Sequence, residues 1–358
     1  MAPSHHRARR DRLRALLGTQ VEADWLIVTG LPNIRYLSGF SGSNAVLVVG
    51  RRPADDVIGT DGRYRDQVAH EAPGLPTIID RDTLAVTAAA LPVGPVAVES
   101  SLSIGDVQAL TASRGMPLVS TGLVEQLRAV KDDIELEALG RACAITVSAL
   151  DVLAGEMTPG VSELALARRL EQLFGEFGAE DRAFDTIVGS GPHSAIPHHQ
   201  PGPRLLGRGD LVVVDAGARV DGYHADMTRT FLVAADPEPW QVAIHDLVQR
   251  GQAAATAQYL PGSNARAVDS AARDVITAGG HGDDFTHGLG HGVGLQIHEA
   301  PLMGPRATGT LEAAMAITVE PGIYLPGRGG VRIEDTLVVT GTGPRILTEA
   351  SRDLVVVG

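Results

Sequence analysis

Cysteine is nearly absent from this 358-residue chain, in which Cys143 stands alone. A disulfide framework and a thiolate metal cluster are thereby excluded, and a single thiol suits the reducing cytoplasm. Lysine is as scarce: Lys131 is the only one beside many arginines, which reads as codon bias and not as function. No run approaches the roughly 18–20 apolar residues that a membrane span needs, so no membrane partner is expected. A general basic field is missing too, since the formal net charge of −13 argues against nucleic-acid binding. The N-terminal MAPSHHRARRDRLRALLG is basic but has no apolar core segment, so it does not read as a secretory signal. Of the two readings left, transit peptide or first amphipathic surface helix, the helix is the simpler.

What is present describes a well-cored globular protein: 44% of residues are apolar and 20% charged. The length favours two domains. In the first third, WLIVT (25–29), AVLVV (45–49), VIGT (57–60) and VAVE (96–99) read as strands. GRYRDQVAHEA (62–72) and the segments after Asp82 and Gly105 read as helices between them, an α/β layer pattern over residues 1–127. Asp132 followed by Glu135 signals a helix N-terminus, so a second domain is expected over 128–358. There, helices to about Leu153 and over 162–177, 238–259 and 264–278 alternate with strand-like FDTIVGSG, LVVVDAGA, TRTFLVA, AITVEPG and GVRIEDTLVVT. That order reads as α+β.

Three histidines, His287, His291 and His298, crowd the stretch FTHGLGHGVGLQIHEAP. A pair four apart binds zinc from one helix face, with a glutamate between as base. Here Gly-Leu-Gly intervenes, a poor helix with no carboxylate. Acids fill the gap: Asp215 ends LVVVD, Asp226 follows a VDGY turn, and Glu320 and Glu334 lie in ITVEPG and VRIED. One hairpin is expected to set Asp215 opposite Asp226, and a second to set Glu320 opposite Glu334. The plain alternative pairs each acid with Arg219, Arg229, Arg328 or Arg332, or makes it a turn cap. Gathered at one site, four carboxylates repel and some must protonate, a cost that two divalent cations remove. Two-metal sites suit amide hydrolysis, and oxygen-rich ligation with one nitrogen favours Mn²⁺ over a structural zinc.

DAGARVDGYHADMTRTF, HGLGHGVGLQIHE, ITVEPGIYLPGRGGVRIED and SGPHSAIPHH together resemble the creatinase/aminopeptidase P/prolidase family of metallopeptidases. The likeness runs from about residue 128 to the end, and more weakly into LPNIRYLSGFSGSNAVLVV (31–49). It implies a C-terminal pita-bread catalytic domain preceded by a smaller α/β domain. It also implies that Asp215 chelates one metal, Asp226 and Glu334 bridge both, and His291 and Glu320 complete the second. His198, His287 and His298 match family histidines that line the substrate pocket, with His199 the neighbour to be told apart from His198. A structural role for His287 and His298 stays open. Arg332 looks like the family arginine that steadies a metal ligand and substrate, and it shares a strand face with Glu334.

The resemblance implies hydrolysis of the bond before proline in small peptides, with Glu320 moving the proton toward the leaving nitrogen. Dipeptidase is the expectation from the chain's layout, and an aminopeptidase on longer peptides is the alternative. A dipeptidase needs a clamp for the substrate carboxylate, for which Arg35 in NIRYLSGF is the candidate unless it only supports its loop. A homodimer holding two ions per subunit is implied, while Mn, Co, Zn and Fe are not told apart. A methionine aminopeptidase usually lacks so large an N-terminal domain, a creatinase does not need these five ligands, and a non-catalytic relative has no reason to keep them.

Overall fold

The structure is a computed structural model and describes residues 4–114 and 118–358, so the first three residues of the basic N-terminal stretch lie outside it. Two compact units divide at Arg128 and Ala129.

The first unit is built on one six-stranded mixed sheet. Its strands are β1 Trp25–Val28, β2 Ala45–Gly50, β3 Val57–Thr60, β4 Thr77–Ile79, β5 Val96–Glu99 and β6 Leu118–Thr121, ordered β4-β3-β2-β1-β5-β6. Short apolar β-branched runs form these strands, and Ile27, Val46, Val48, Val96 and Val98 build a core with Ala88 and Leu110 from the covering helices. The helices are α1 Ser4–Gln20, α2 Leu31–Ser38, α3 Arg65–Glu71, α4 Thr83–Ala89, α5 Ile104–Arg114 and α6 Leu123–Ala129. Two expectations change here. Arg35 sits on α2, not in a loop: Pro32 stands in the first turn of that helix, and Glu99 accepts the Thr29 and Gly30 backbone N–H groups just ahead of it. The α1 helix buries Leu13 and Leu17 as a surface helix should, yet it also buries Arg9 and Arg10, the latter paired with buried Asp56 at 2.9 Å.

The second unit packs two pairs of helices against sheets that are antiparallel except where the strand Val355–Val357 joins Met227–Val233 in parallel. Asp132 and Glu135 form the expected reciprocal cap of α7 Asp133–Glu156, and Ser162 caps α8 Glu163–Glu176. The α7 helix is long and apolar enough to cross a membrane by length and composition alone. Its Ala149, Leu150 and Leu153 instead join Leu166, Leu170 and Phe174 of α8 in a core, so it reads as an internal helix. The strands run β7 Asp181–Arg182, β8 Ile187–Ser190, β9 Leu211–Ala216, β10 Ala218–Val220, β11 Tyr223–His224 and β12 Met227–Val233. After α9 Pro239–Thr256 and α10 Ala265–Ala278 come β13 Gly290–Gly292, β14 Glu299–Met303, β15 Ala316–Val319, β16 Gly322–Leu325, β17 Gly329–Arg332, β18 Asp335–Val338, β19 Arg345–Ile346 and β20 Val355–Val357.

The main sheets are β20-β12-β9-β8 and β14-β13-β15-β18-β19, with β16-β17 a separate ribbon. Side chains alternate on each strand, which sorts the core into two halves. Val212, Val214, Phe231 and Val233 face α7 and α8, whereas Leu211 and Leu232 meet the core that α9 and α10 make with Ile317, Val319, Ile323 and Val331. Each fully buried leucine contributes about 1.5–3 kcal/mol. By the same alternation Asp215 points with Leu211, away from α7 and α8. The α+β expectation holds for this unit.

Candidate metal centre

Strand register decides where the acids stand. Asp215 pairs with Thr228, so Asp226 is not opposite Asp215 as the hairpin expectation had it. The chain leaves the β9–β12 ladder for β10 and β11, and Asp226 sits just before β12, diagonal to Asp215. Gly217 makes that crossing possible: a Cβ there would lie 1.8 Å from the Ala225 carbonyl oxygen. The second hairpin is as expected. Val319 pairs with Asp335 and Gly322 with Arg332, and the same register sets Glu320 opposite Glu334.

His291 enters from β13, which is wedged between β14 and β15. The glycines around it give room for a strand, not a turn: a Cβ on Gly290 would meet the Thr318 carbonyl oxygen at 2.3 Å, and one on Gly292 the Ala300 carbonyl oxygen at 2.2 Å. Nδ1 of His291 faces the Gly292 carbonyl at 3.0 Å, an acceptor only, so Nδ1 carries the proton. The Nε2 lone pair is left facing Asp226 and Glu320, each at 3.5 Å. Ligand atoms of Asp226, His291 and Glu334 all lie within 4.8 Å of one another.

The charge at this place is unbalanced. Burial first, and then the charges of Asp215 and Glu320, push the Asp226 carboxyl well above the usual range. Burial, followed by Asp226, Glu320 and Asp215, does the same to Glu334. Glu320 is pushed up to about 8, mainly by burial, with Arg332 opposing and Asp215 adding. His291 is lowered to about 4 by burial and is therefore neutral, as a metal ligand must be. The arginines do not solve the problem. Arg229 pairs with Asp335, Arg219 with Asp181, and Arg328 lies over Trp240. Among the described residues, only Asp215 of these acids has an arginine partner, Arg332 at 2.6 Å, and its other oxygen, Oδ1, is buried with no hydrogen bond. An acceptor-only donor set with an orphaned carboxylate oxygen and a free imidazole lone pair fits divalent cations.

All five of these residues line one cavity of about 910 Å³, together with His198, His287, His298 and Arg332. His198, and not His199, faces the cavity, since the His199 ring hydrogen-bonds Glu163 at 2.9 Å. The ring of His298 meets that of His291 edge-on, 4.4 Å between centroids. His287 is neutral, lowered to about 4 by burial and then by Arg332. Its Nδ1 donates to the Gly288 carbonyl at 2.8 Å, so Nε2 accepts from the Tyr324 hydroxyl at 2.9 Å. Arg332 donates to the same hydroxyl at 2.8 Å. Arg35 lies in the first unit and Asp215, Asp226, His291, Glu320 and Glu334 in the second.

Sequence reading missed two supports. Thr228 donates its hydroxyl to Glu334 at 2.7 Å and accepts Nε of Arg332 at 3.0 Å; its place opposite Asp215 was hidden by the wrong register. Tyr324 is the other, and its position in EPGIY, between two acid-bearing segments, was the available signal. Lys131 also changes meaning. Its side chain is fully buried and pairs with Glu299 at 3.1 Å, directly after His298, so codon bias does not describe it.

Comparison with known proteins agrees with this geometry. Residues 137–341 match the model of metallopeptidase family M24, and residues 9–130 match the creatinase/prolidase N-terminal domain. A Xaa-Pro dipeptidase of Pyrococcus horikoshii is 34% identical over 93% of this chain and 94% of its own. A solved Xaa-Pro dipeptidase from Bacillus anthracis superposes with a TM-score of 0.93 at 33% identity, covering 98% of this chain and 100% of that one. An X-Pro aminopeptidase from Thermotoga maritima follows at TM-score 0.90 and 32% identity, over 97% and 99%. The paired sheets flanked by helix pairs are the pita-bread fold, and the chain belongs to metallopeptidase family M24, with a creatinase/prolidase N-terminal domain ahead of the catalytic one.

Proposed function

We propose that the protein is a proline dipeptidase, hydrolysing the Xaa-Pro bond of dipeptides with two divalent metal ions held by Asp215, Asp226, His291, Glu320 and Glu334. One observation carries the reading: three buried carboxylates and a neutral imidazole converge on one cavity, and among the described residues the one arginine paired with the acids is spent on Asp215. Bound there, such ions supply a nucleophile at neutral pH and polarise a carbonyl.

The chain's own residues do the rest. Glu320 takes the proton released at the attacking water and hands it to the proline nitrogen, which as a tertiary amide has no N–H of its own. His198, His287 and His298 line the cavity; His198 and His298 hydrogen-bond the peptide around the scissile bond, while His287, with both ring nitrogens engaged by Gly288 and Tyr324, shapes the wall. Arg332 keeps Asp215 and Tyr324 in place, and through Tyr324 the ring of His287. Mn²⁺ is the ion we propose, on the oxygen-rich ligand set, with Co²⁺ or Zn²⁺ as substitutes. A homodimer and a cytoplasmic setting complete the proposal: the first follows from the family resemblance, the second from a lone buried cysteine.

The likeness to an X-Pro aminopeptidase supports a second reading, in which longer peptides are cleaved. Turnover of Ala-Pro against Ala-Pro-Ala with added Mn²⁺ decides between them. Efficient cleavage of the dipeptide alone is expected; cleavage of the tripeptide at a similar kcat/KM removes the dipeptidase reading.

A further inference from the structure

A second convergence of ligand-type side chains lies outside the four acids and one histidine already described. Glu163, the first residue of α8, has a side chain with no exposed surface, and the Nδ1 of His193 and the Nε2 of His199 both turn toward it. These three residues offer ligand atoms within 4.8 Å of one another. The rings themselves stand 4.3 Å apart between centroids.

The local chain explains the arrangement. Ser190 ends β8, a short 3-10 turn over Gly191–Ala195 carries His193, and Pro197 leads into His198 and His199. Ser190 fixes the carboxylate from one side, donating its backbone N–H at 2.8 Å and its hydroxyl at 2.7 Å, both to Oε1. Oε2 has one backbone donor, Gly202, at the long distance of 3.3 Å. Burial alone would raise the Glu163 carboxyl, but hydrogen bonds from Ser190, His199 and His193 bring it below its ordinary value, so it is ionised. His193 Nδ1 spans both oxygens, 3.0 Å from Oε1 and 3.2 Å from Oε2, and His199 Nε2 faces Oε2 at 2.9 Å.

We propose that Glu163, His193 and His199 form a further metal site, for zinc or a similar borderline divalent ion. Around zinc, bonds of about 2.0–2.1 Å in a tetrahedron set neighbouring ligand atoms roughly 3.3 Å apart. His193 Nδ1 stands 3.2 Å and His199 Nε2 2.9 Å from Glu163 Oε2, so each nitrogen needs to draw back from that oxygen by only a few tenths of an ångström. The set is two imidazoles and one carboxylate, with the serine supporting the carboxylate from behind. His193 is 37% exposed in its side chain, which provides the entry path and leaves room for a water as the fourth ligand. The acid-rich centre suits Mn²⁺, whereas this nitrogen-rich one suits zinc, so the two sites divide by ion as well as by place. Occupancy ties α8 to the segment that carries His198 into the cavity.

The inference does not depend on the peptidase reading, because its test counts metal and not turnover. The full chain is stripped with a chelator, equilibrated with Zn²⁺, and assayed for bound zinc, alongside His193→Asn and His199→Gln. Each variant is expected to bind one equivalent per chain less than the parent while melting at a similar temperature. In an Asp226→Ala background the same equivalent is retained, and adding His193→Asn removes it. Co²⁺ in the Asp226→Ala chain gives visible ligand-field absorption that the added His193→Asn abolishes. Equal zinc counts with and without His193, or a cobalt spectrum that ignores it, overturn the proposal and leave Glu163 as a hydrogen-bond hub.

Discussion

Arg332 donates from Nη2 to Oδ2 of Asp215 at 2.6 Å, across the space between β17 and β9, and leaves Oδ1 of that acid buried and unpartnered. One guanidinium therefore aims a carboxylate and keeps half of it available. Arg332→Met removes the aim and keeps the bulk. Metal affinity is expected to fall about 10–100-fold, the usual effect of losing a residue that orients a ligand. Titration with Mn²⁺ reads it, and Arg332→Lys should recover little, because one ammonium cannot reach Asp215, Tyr324 and Thr228 together.

Thr228 stands between Arg332 and Glu334 through one hydroxyl. Thr228→Val keeps the shape and removes both bonds, leaving a buried carboxylate oxygen unsatisfied. A loss of about 1–3 kcal/mol in stability is expected from urea unfolding of the metal-free protein. Weaker metal retention should accompany it.

Removing metal should make stability depend on pH in a definite direction. Asp226, Glu334 and Glu320 have carboxyls raised above their unfolded values, the last to about 8. The folded chain then binds protons more tightly than the unfolded one, so this contribution is full below about pH 4.5 and is lost as pH rises toward 8. His287 and His291, lowered to about 4, act oppositely between about 4 and 6.5. The carboxylate effect is therefore seen cleanly between about pH 6.5 and 8, where Tm of the chelated protein should fall by several degrees. With Mn²⁺ bound the fall should vanish. A flat profile in the chelated protein would mean the acids are not held together as described.

The Lys131–Glu299 pair is almost wholly out of water, with side chains 0% and 6% exposed. Lys131→Met removes the ammonium from this buried pair and should destabilise the protein, by at most about 3–5 kcal/mol. Adding Glu299→Gln should restore part of that loss, which chemical denaturation of the two variants measures.

Much of this was legible before the structure. Apolar β-branched runs marked the central strands, and the Asp132–Glu135 cap marked where α7 begins, because both signals are local. The ribbon of Glu320 and Glu334 was legible for the same reason, a short turn of unbroken register. Asp215 and Asp226 were misplaced because β10 and β11 intervene, and a hairpin reading counts residues without seeing a detour. Thr228 and Glu163 were invisible since each acts through partners far away in sequence: Glu163 meets Ser190 and His199, and Thr228 meets Glu334. Lys131 looked idle for the same reason, its partner lying 168 residues on.

The centre itself is tested most directly at Asp226, whose carboxyl is raised by burial and by the charges of Asp215 and Glu320. Asp226→Ala, purified, loaded with Mn²⁺ and freed of excess ion, should lose bound manganese and Ala-Pro hydrolysis together while still unfolding cooperatively. Full hydrolysis by an Asp226→Ala protein without bound metal would contradict the account.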